Sequence, residues 1–184
     1  EEVLCERFGA PLTRRLLACL LPCRWLNDEV VNCYLRLVQE RSRGQCWCPN
    51  SFFWPSLASG GYAAVQRWAR RAGASVAELR AVLVPLHLHG DHWALGVVDV
   101  PTHGVHYFDS LQGSPPPCLL PRLCEFLEGE GRRLASEALR GPWRLLGHPP
   151  EPRQRNTSDC GVFACAYAER FAAGAPVAFD AGAA

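Results

Sequence analysis

Near residue 81 the hydrophobic pattern of this chain changes period, and that change limits the folds open to it. Residues 81–87 and 92–100 are rich in Val and Leu, and residues 104–109 follow with a looser alternation, which predicts three strands. Pro101-Thr102-His103-Gly104 reads as the turn between the last two. They then form an antiparallel hairpin that brings His92 and Asp109 to the same end of a sheet. The flanking segments have helical spacing instead. Asn27 or Asp28 caps a helix in which Val30, Val31, Tyr34, Leu35 and Val38 recur every three to four residues. Residues 62–72 set Val65, Trp68 and Ala69 opposite Gln66, Arg67, Arg70 and Arg71, as in a surface helix. Thr13 caps a short helix that Pro22 ends, Phe52-Phe53-Trp54 is a short half-buried cluster, and Gly60-Gly61 punctuates the chain. Residues 119–127 predict a helix, 129–139 a charged helical segment, 143–146 a short strand and 149–152 a closing loop.

The 184 residues suit one domain with a sizeable core. A 48% hydrophobic share with six Trp and eight Phe excludes disorder, while no run approaches the ~18 apolar residues of a membrane span. A net charge of +1 carries no footprint of a general nucleic-acid or membrane binder. The absence of Met and the opening Glu1-Glu2 suggest a piece of a longer protein. Ten cysteines in an aromatic-rich chain of this size fit a reducing compartment better than a disulfide scaffold. Cys19, Cys23, Cys46 and Cys48 supply four thiols, but their spacing does not match CxxC knuckles, so no metal is expected.

Toward the C-terminus, the polar run Gln154-Arg155-Asn156-Thr157-Ser158-Asp159 passes abruptly into the apolar Cys160-Gly161-Val162-Phe163-Ala164-Cys165-Ala166-Tyr167. This reads as a loop feeding a buried helix capped by Ser158 or Asp159, with Cys160 in the first turn. The unpaired N–H groups and the positive end of the helix dipole there favour a thiolate, the nucleophilic form of cysteine. Gly161 removes side-chain bulk, so that a substrate carbonyl could approach. A lone cysteine on such a helix is usually a core residue, so a nucleophile needs partners. The types required are present: His92 as base, Asp109 to orient it, and Gln154, six residues before Cys160, as oxyanion donor.

Five segments carry a resemblance to a known family: Trp25-Leu26-Asn27-Asp28-Glu29, Val84-Pro85-Leu86-His87-Leu88, His92-Trp93, Tyr107-Phe108-Asp109-Ser110 and Gln154-x-Asn156-x-Ser158-Asp159-Cys160-Gly161. In this order, over residues 12–179, they resemble the SENP, or sentrin/SUMO-specific protease, family of Ulp-type papain-like cysteine proteases. The resemblance implies an α+β, papain-like fold with a central mixed or antiparallel sheet flanked by helices. It implies Cys160 as nucleophile, His92 as base, Asp109 as its orienter and Gln154 as oxyanion donor, acting after the C-terminal Gly-Gly of SUMO in precursor maturation and deconjugation. Trp25 and Trp93 match the indole pair that closes over the Gly-Gly tail, and Asp28, Phe52 and Arg67 match contacts to the body of SUMO. Cys165-Ala166-Tyr167 looks most like the branch with broad processing and deconjugation activity. No metal or cofactor is implied; the expected partners are SUMO and SUMO-conjugated proteins, without nucleic acid or membrane span. The expected state is a monomer in the nucleus, or also the cytoplasm. Two features depart from the pattern. One extra residue lies between His87 and His92, where it could shift the strand presenting His92. After Pro176-Val177-Ala178-Phe179 the chain ends in Asp180-Ala181-Gly182-Ala183-Ala184 where the family continues into a helix, so the expected unit is a single catalytic domain over residues 1–184 lacking that helix. Two alternatives stand beside this reading: a protease for another ubiquitin-like modifier, and a non-catalytic SUMO-binding module.

Overall fold

A computed structural model describes residues 2–147 and 152–179. The chain opens with an antiparallel hairpin, β1 (Val3–Arg7) and β2 (Ala10–Thr13), which turns at Phe8 and Gly9 with φ of 58° and 75°. Thr13 then caps α1 (Arg14–Leu17), its Oγ1 accepting from Leu16 N at 3.3 Å, and a 3-10 turn carries the chain toward Pro22. The next helix, α2 (Asp28–Arg41), is capped by Asn27, whose Oδ1 accepts from Val30 N at 2.9 Å; Asp28 is its first residue. Asp28 and Glu29 at the positive end and Arg41 at the negative end complement the helix dipole. Val30, Val31, Leu35 and Val38 are buried, as the spacing predicts.

A short strand β3 (Cys46–Trp47) leads into α3 (Phe53–Val65) and α4 (Trp68–Arg71). The aromatic cluster is thus the start of a helix, since Pro55 falls in its first turn where a missing N–H costs nothing. Gly61 interrupts α3 with φ 61° and ψ −162°, and a side chain there would run into the Glu125 carboxylate that accepts from Tyr62 N. The single helix expected over 62–72 is also split, at Gln66–Arg67 between α3 and α4, although Val65 and Ala69 do face the core.

The three expected strands are β4 (Ala81–Leu88), β5 (His92–Asp99) and β6 (Gly104–Phe108). Beyond them lie α5 (Leu119–Leu134), β7 (Arg144–Leu146) and α6 (Cys160–Ala172). Helix α5 runs through Gly129, which the sequence reading set outside it, because the Tyr62 ring occupies the space of a Cβ there. The five strands form one mixed sheet in the order β3-β4-β5-β6-β7, antiparallel at its centre and parallel at both outer pairs. Both faces are covered. Val82, Val84 and Leu86 of β4 point to the side packed by α3 and α5, and Ala81 and Leu83 to the side packed by α2 and α6. Burial on both faces is why these strands read as near-continuous apolar runs. Between His87 and His92 the chain makes the β4–β5 turn, where His89 and Gly90 take φ of 54° and 85°. Pairing persists to Leu88↔His92, so His92 is held in the ladder up to the turn.

Among the described residues no helix is long and apolar enough to cross a membrane, and no three His, Cys, Asp or Glu side chains converge as a metal site. The ten cysteines are free thiols. The expectations for residues 149–151 and for the ending at Asp180–Ala184 lie outside the described residues.

Candidate active site

His92 is the first residue of β5, and Asp109 directly follows β6. Continuing the register Leu95↔Phe108 by one step sets Asp109 opposite Ala94, diagonal to His92. Their side chains meet, His92 Nε2 to Asp109 Oδ1 at 2.8 Å. The carboxylate is held from further directions: Leu111 N donates to Oδ1 at 2.8 Å, and Tyr107 Oη and Gly113 N each donate to Oδ2 at 3.1 Å. Buried and so well solvated by donors, Asp109 stays ionised; burial raises its pKa, but the hydrogen bonds from His92 and Leu111 N outweigh it and the net shift is downward.

Cys160 is the first residue of α6 and is buried. With Nε2 on Asp109, the other nitrogen of the His92 ring is left for the thiol, which also accepts from the backbone N–H groups of Trp93 and Gly161. Burial pushes the thiol pKa up, yet these hydrogen bonds and the charge on His92 bring it below the ordinary cysteine value. His92 moves the opposite way, up to about 10, first through the Asp109 hydrogen bond and then through that of Cys160, against a lowering by burial. The thiol therefore loses its proton before the imidazole does, so that between the two steps the pair is thiolate and imidazolium. The ultraviolet thiolate signal of wild type minus Cys160→Ser should step below the ordinary cysteine pKa of 9.0. In His92→Ala the step should move upward, since burial then acts without the hydrogen bond and charge of the imidazole. A step that stays in place without His92 would mean the imidazole does not hold the charge.

The loop before α6 builds its own turn. Asn156 Oδ1 accepts from Ser158 N and Asp159 N, both at 3.0 Å, and Asn156 Nδ2 donates to Asp159 Oδ2 at 2.7 Å. Asp159 occupies the N-cap position as expected, but its carboxylate makes no capping bond to the helix, because Asn156 engages it instead. An Asn two residues before a Ser is the sequence signal of such an Asx turn. Gly161 has a packing role as well: a Cβ there would lie 2.9 Å from the Leu26 side chain, so its smallness admits Leu26.

Leu26 and Trp25 clamp the site from the other side. Trp93 Nε1 donates to Leu26 O at 2.9 Å, and Trp25 Nε1 donates to Thr157 O at 2.8 Å, which ties Trp25 to the loop feeding the nucleophile. The two indoles differ. Trp25 is 52% exposed, whereas Trp93 is 3% exposed, stacks on His87 and belongs to the core under α6. Gln154 is buried beside Asp109: its Oε1 accepts from Ser110 Oγ at 2.6 Å and its Nε2 donates to Asn156 O at 2.7 Å. Asp28, Phe52 and Arg67 lie on neighbouring elements. Asn32, one turn along α2 from Asp28, bonds Ser51 beside Phe52, and Phe53 packs edge-to-face on Trp68 beside Arg67. Phe52 and Arg67 are exposed and Asp28 half-buried.

A helix-terminal thiol, an imidazole and a carboxylate in series, set between a mixed sheet and a buried helix, are the arrangement of a papain-like thiol hydrolase. The chain belongs to the Ulp1 protease family, and the model of that family's C-terminal catalytic domain matches residues 24–181. It is 36% identical to a sentrin-specific protease of Caenorhabditis elegans over 175 residues, 92% of this chain and 24% of that protein. It is likewise 36% identical to sentrin-specific protease 2 of Mus musculus over 186 residues, 97% of this chain and 31% of that protein. The chain thus spans about a quarter to a third of the length of these curated relatives. Among solved structures it is similar to the C-terminal Ulp1 protease domain in complex with Smt3, the yeast ortholog of SUMO. The TM-score is 0.86 at 29% identity, covering 96% of this chain and 79% of that one.

Proposed function

We propose that this chain is a single catalytic domain, residues 1–184, that cleaves after the C-terminal Gly-Gly of a SUMO-type modifier. In this reading the Cys160 thiolate attacks the terminal glycine carbonyl, and the oxyanion is met by Gln154 Nε2. The His92 imidazolium gives its proton to the leaving amine as the thioester forms. Water, deprotonated by His92, then attacks the thioester and returns the thiol. Asp109 orients His92 and stabilises its charge, and Trp25 and Trp93 close over the tail. Asp28, Phe52 and Arg67 contact the body of the modifier. The hydrogen-bonded chain of Cys160, His92 and Asp109 is the observation that carries the reaction. The likeness to the Ulp1 domain bound to Smt3 supports the substrate. Free thiols throughout support a reducing compartment, and the reading extends to a nuclear monomer acting on SUMO precursors and conjugates without nucleic acid.

The test is incubation with SUMO, ubiquitin and a third modifier, each fused to a fluorogenic leaving group. Release from SUMO alone is expected. Release from another modifier only would favour the alternative protease, and SUMO binding without release would favour a non-catalytic module.

The indole pair makes a separate prediction. A narrow passage between Trp25 and Trp93 admits Gly-Gly and excludes Ala-Ala, because each added methyl must displace a ring. Exposed Trp25 can be removed with little effect on folding, whereas Trp93→Ala should cost roughly 3 to 5 kcal/mol as a buried Trp truncation. Trp25→Ala is therefore the informative variant: it should fold normally and lose Gly-Gly cleavage selectively. A Trp25→Ala enzyme that cleaves the Gly-Gly substrate like wild type removes that indole from substrate handling.

A further inference from the structure

The Gln154 carboxamide is fixed in one of its two possible orientations. Nε2 donates to Asn156 O at 2.7 Å, and a backbone carbonyl only accepts, so that end of the amide is the NH₂. The opposite end, Oε1, then meets Ser110 Oγ at 2.6 Å, and the serine hydroxyl must be the donor. The main chain adds a second tie in the same place, Gln154 N to Ser110 O at 3.2 Å. Ser110 is 1% exposed and adjoins Asp109, which holds His92.

We propose that Ser110 is a positioning residue for oxyanion stabilisation: its hydroxyl anchors the Oε1 end of the Gln154 carboxamide, while Asn156 O, which only accepts, sets the other end as the NH₂. The inference rests on the proposed role of Gln154. One hydrogen of Nε2 is used by Asn156 O, which leaves the second for the developing charge. A rotated amide would present a carbonyl lone pair to that charge and turn stabilisation into repulsion. Because Ser110 directly follows Asp109, one short turn sets both the imidazole, through the carboxylate, and the oxyanion donor, through the hydroxyl. Proton donor and oxyanion donor are thereby kept in register across 44 residues of sequence.

The experiment measures kcat and KM on a SUMO–fluorophore fusion for wild type, Ser110→Ala, Ser110→Cys, Gln154→Ala and the double variant Ser110→Ala/Gln154→Ala. Thermal unfolding and the thiolate titration accompany each. Ser110→Ala should lose about 10- to 100-fold in kcat, the scale of a misplaced catalytic group, with KM and the thiolate step unchanged. Ser110→Cys fills the same space with a weaker donor and should fall between wild type and Ser110→Ala, which checks that the loss is not one of folding. Gln154→Ala should lose on the order of 10² to 10³, and the double variant no more than Gln154→Ala alone, because Ser110 acts only through Gln154. Wild-type kcat in Ser110→Ala, or losses that multiply in the double variant, overturns the assignment while leaving the proposed function standing. A wild type that leaves every modifier intact sinks the proposed function, and this inference with it.

Discussion

Cys160→Ser is expected to abolish turnover, a loss on the order of 10⁶, while modifier binding is kept. The reason lies in the proton arrangement of the site. His92 is held protonated by Asp109, with its pKa up to about 10, so at neutral pH it is a proton donor and a poor base. A thiol copes with this better, because its pKa is brought below the ordinary cysteine value. A serine hydroxyl, far harder to ionise, faces an imidazolium that cannot take its proton. The substitution changes one atom, and the contacts of Gly161 with Leu26 and of Trp93 with Leu26 O are untouched, so folding should be normal. Turnover by Cys160→Ser at a rate near wild type would remove Cys160 from the mechanism.

His92→Ala should lose activity on a similar scale, because the ring both keeps the thiolate and supplies the proton to the leaving amine. Its effect on stability should be modest. Without His92 the Asp109 carboxylate still accepts from Tyr107 Oη, Leu111 N and Gly113 N, so no buried charge is orphaned. Steady-state turnover and thermal unfolding measured together separate these effects. A large drop in melting temperature with substantial residual turnover would make His92 a structural residue rather than the proton carrier.

What could be read from the sequence followed the physics of burial. Helix α2 was legible because Asn27 supplies the cap and four buried residues recur on one face. The strands β4 to β6 were legible because both faces of the sheet are covered. The β1–β2 hairpin was not: its strand residues are exposed apart from Leu12 and Thr13, so no alternation marks it. The far half of α5 was hidden by Gly129 and Gly131, which read as breakers until the Tyr62 ring is seen against Gly129. At the site, the Cys160–His92–Asp109 arrangement could be anticipated from residue types placed at strand and helix ends. The bond between Ser110 and Gln154 could not, because nothing local couples two positions so far apart in the chain. The burial of Trp93 was likewise invisible, since an indole beside a base looks the same in sequence whether it lines a cleft or fills a core.

The most direct measurement is covalent capture: SUMO carrying an electrophile in place of its C-terminal carboxylate is mixed with the protein, and the cross-linked peptide is identified. The chain offers ten thiols, of which Cys165 lies buried on the same helix with its pKa up to about 12, and Cys33 is half-buried with its pKa raised. If the Cys160 thiolate beside His92 is the nucleophile, the adduct maps to Cys160 alone and disappears in Cys160→Ser. An adduct on Cys165 or Cys33, or one that persists undiminished in Cys160→Ser, contradicts the account.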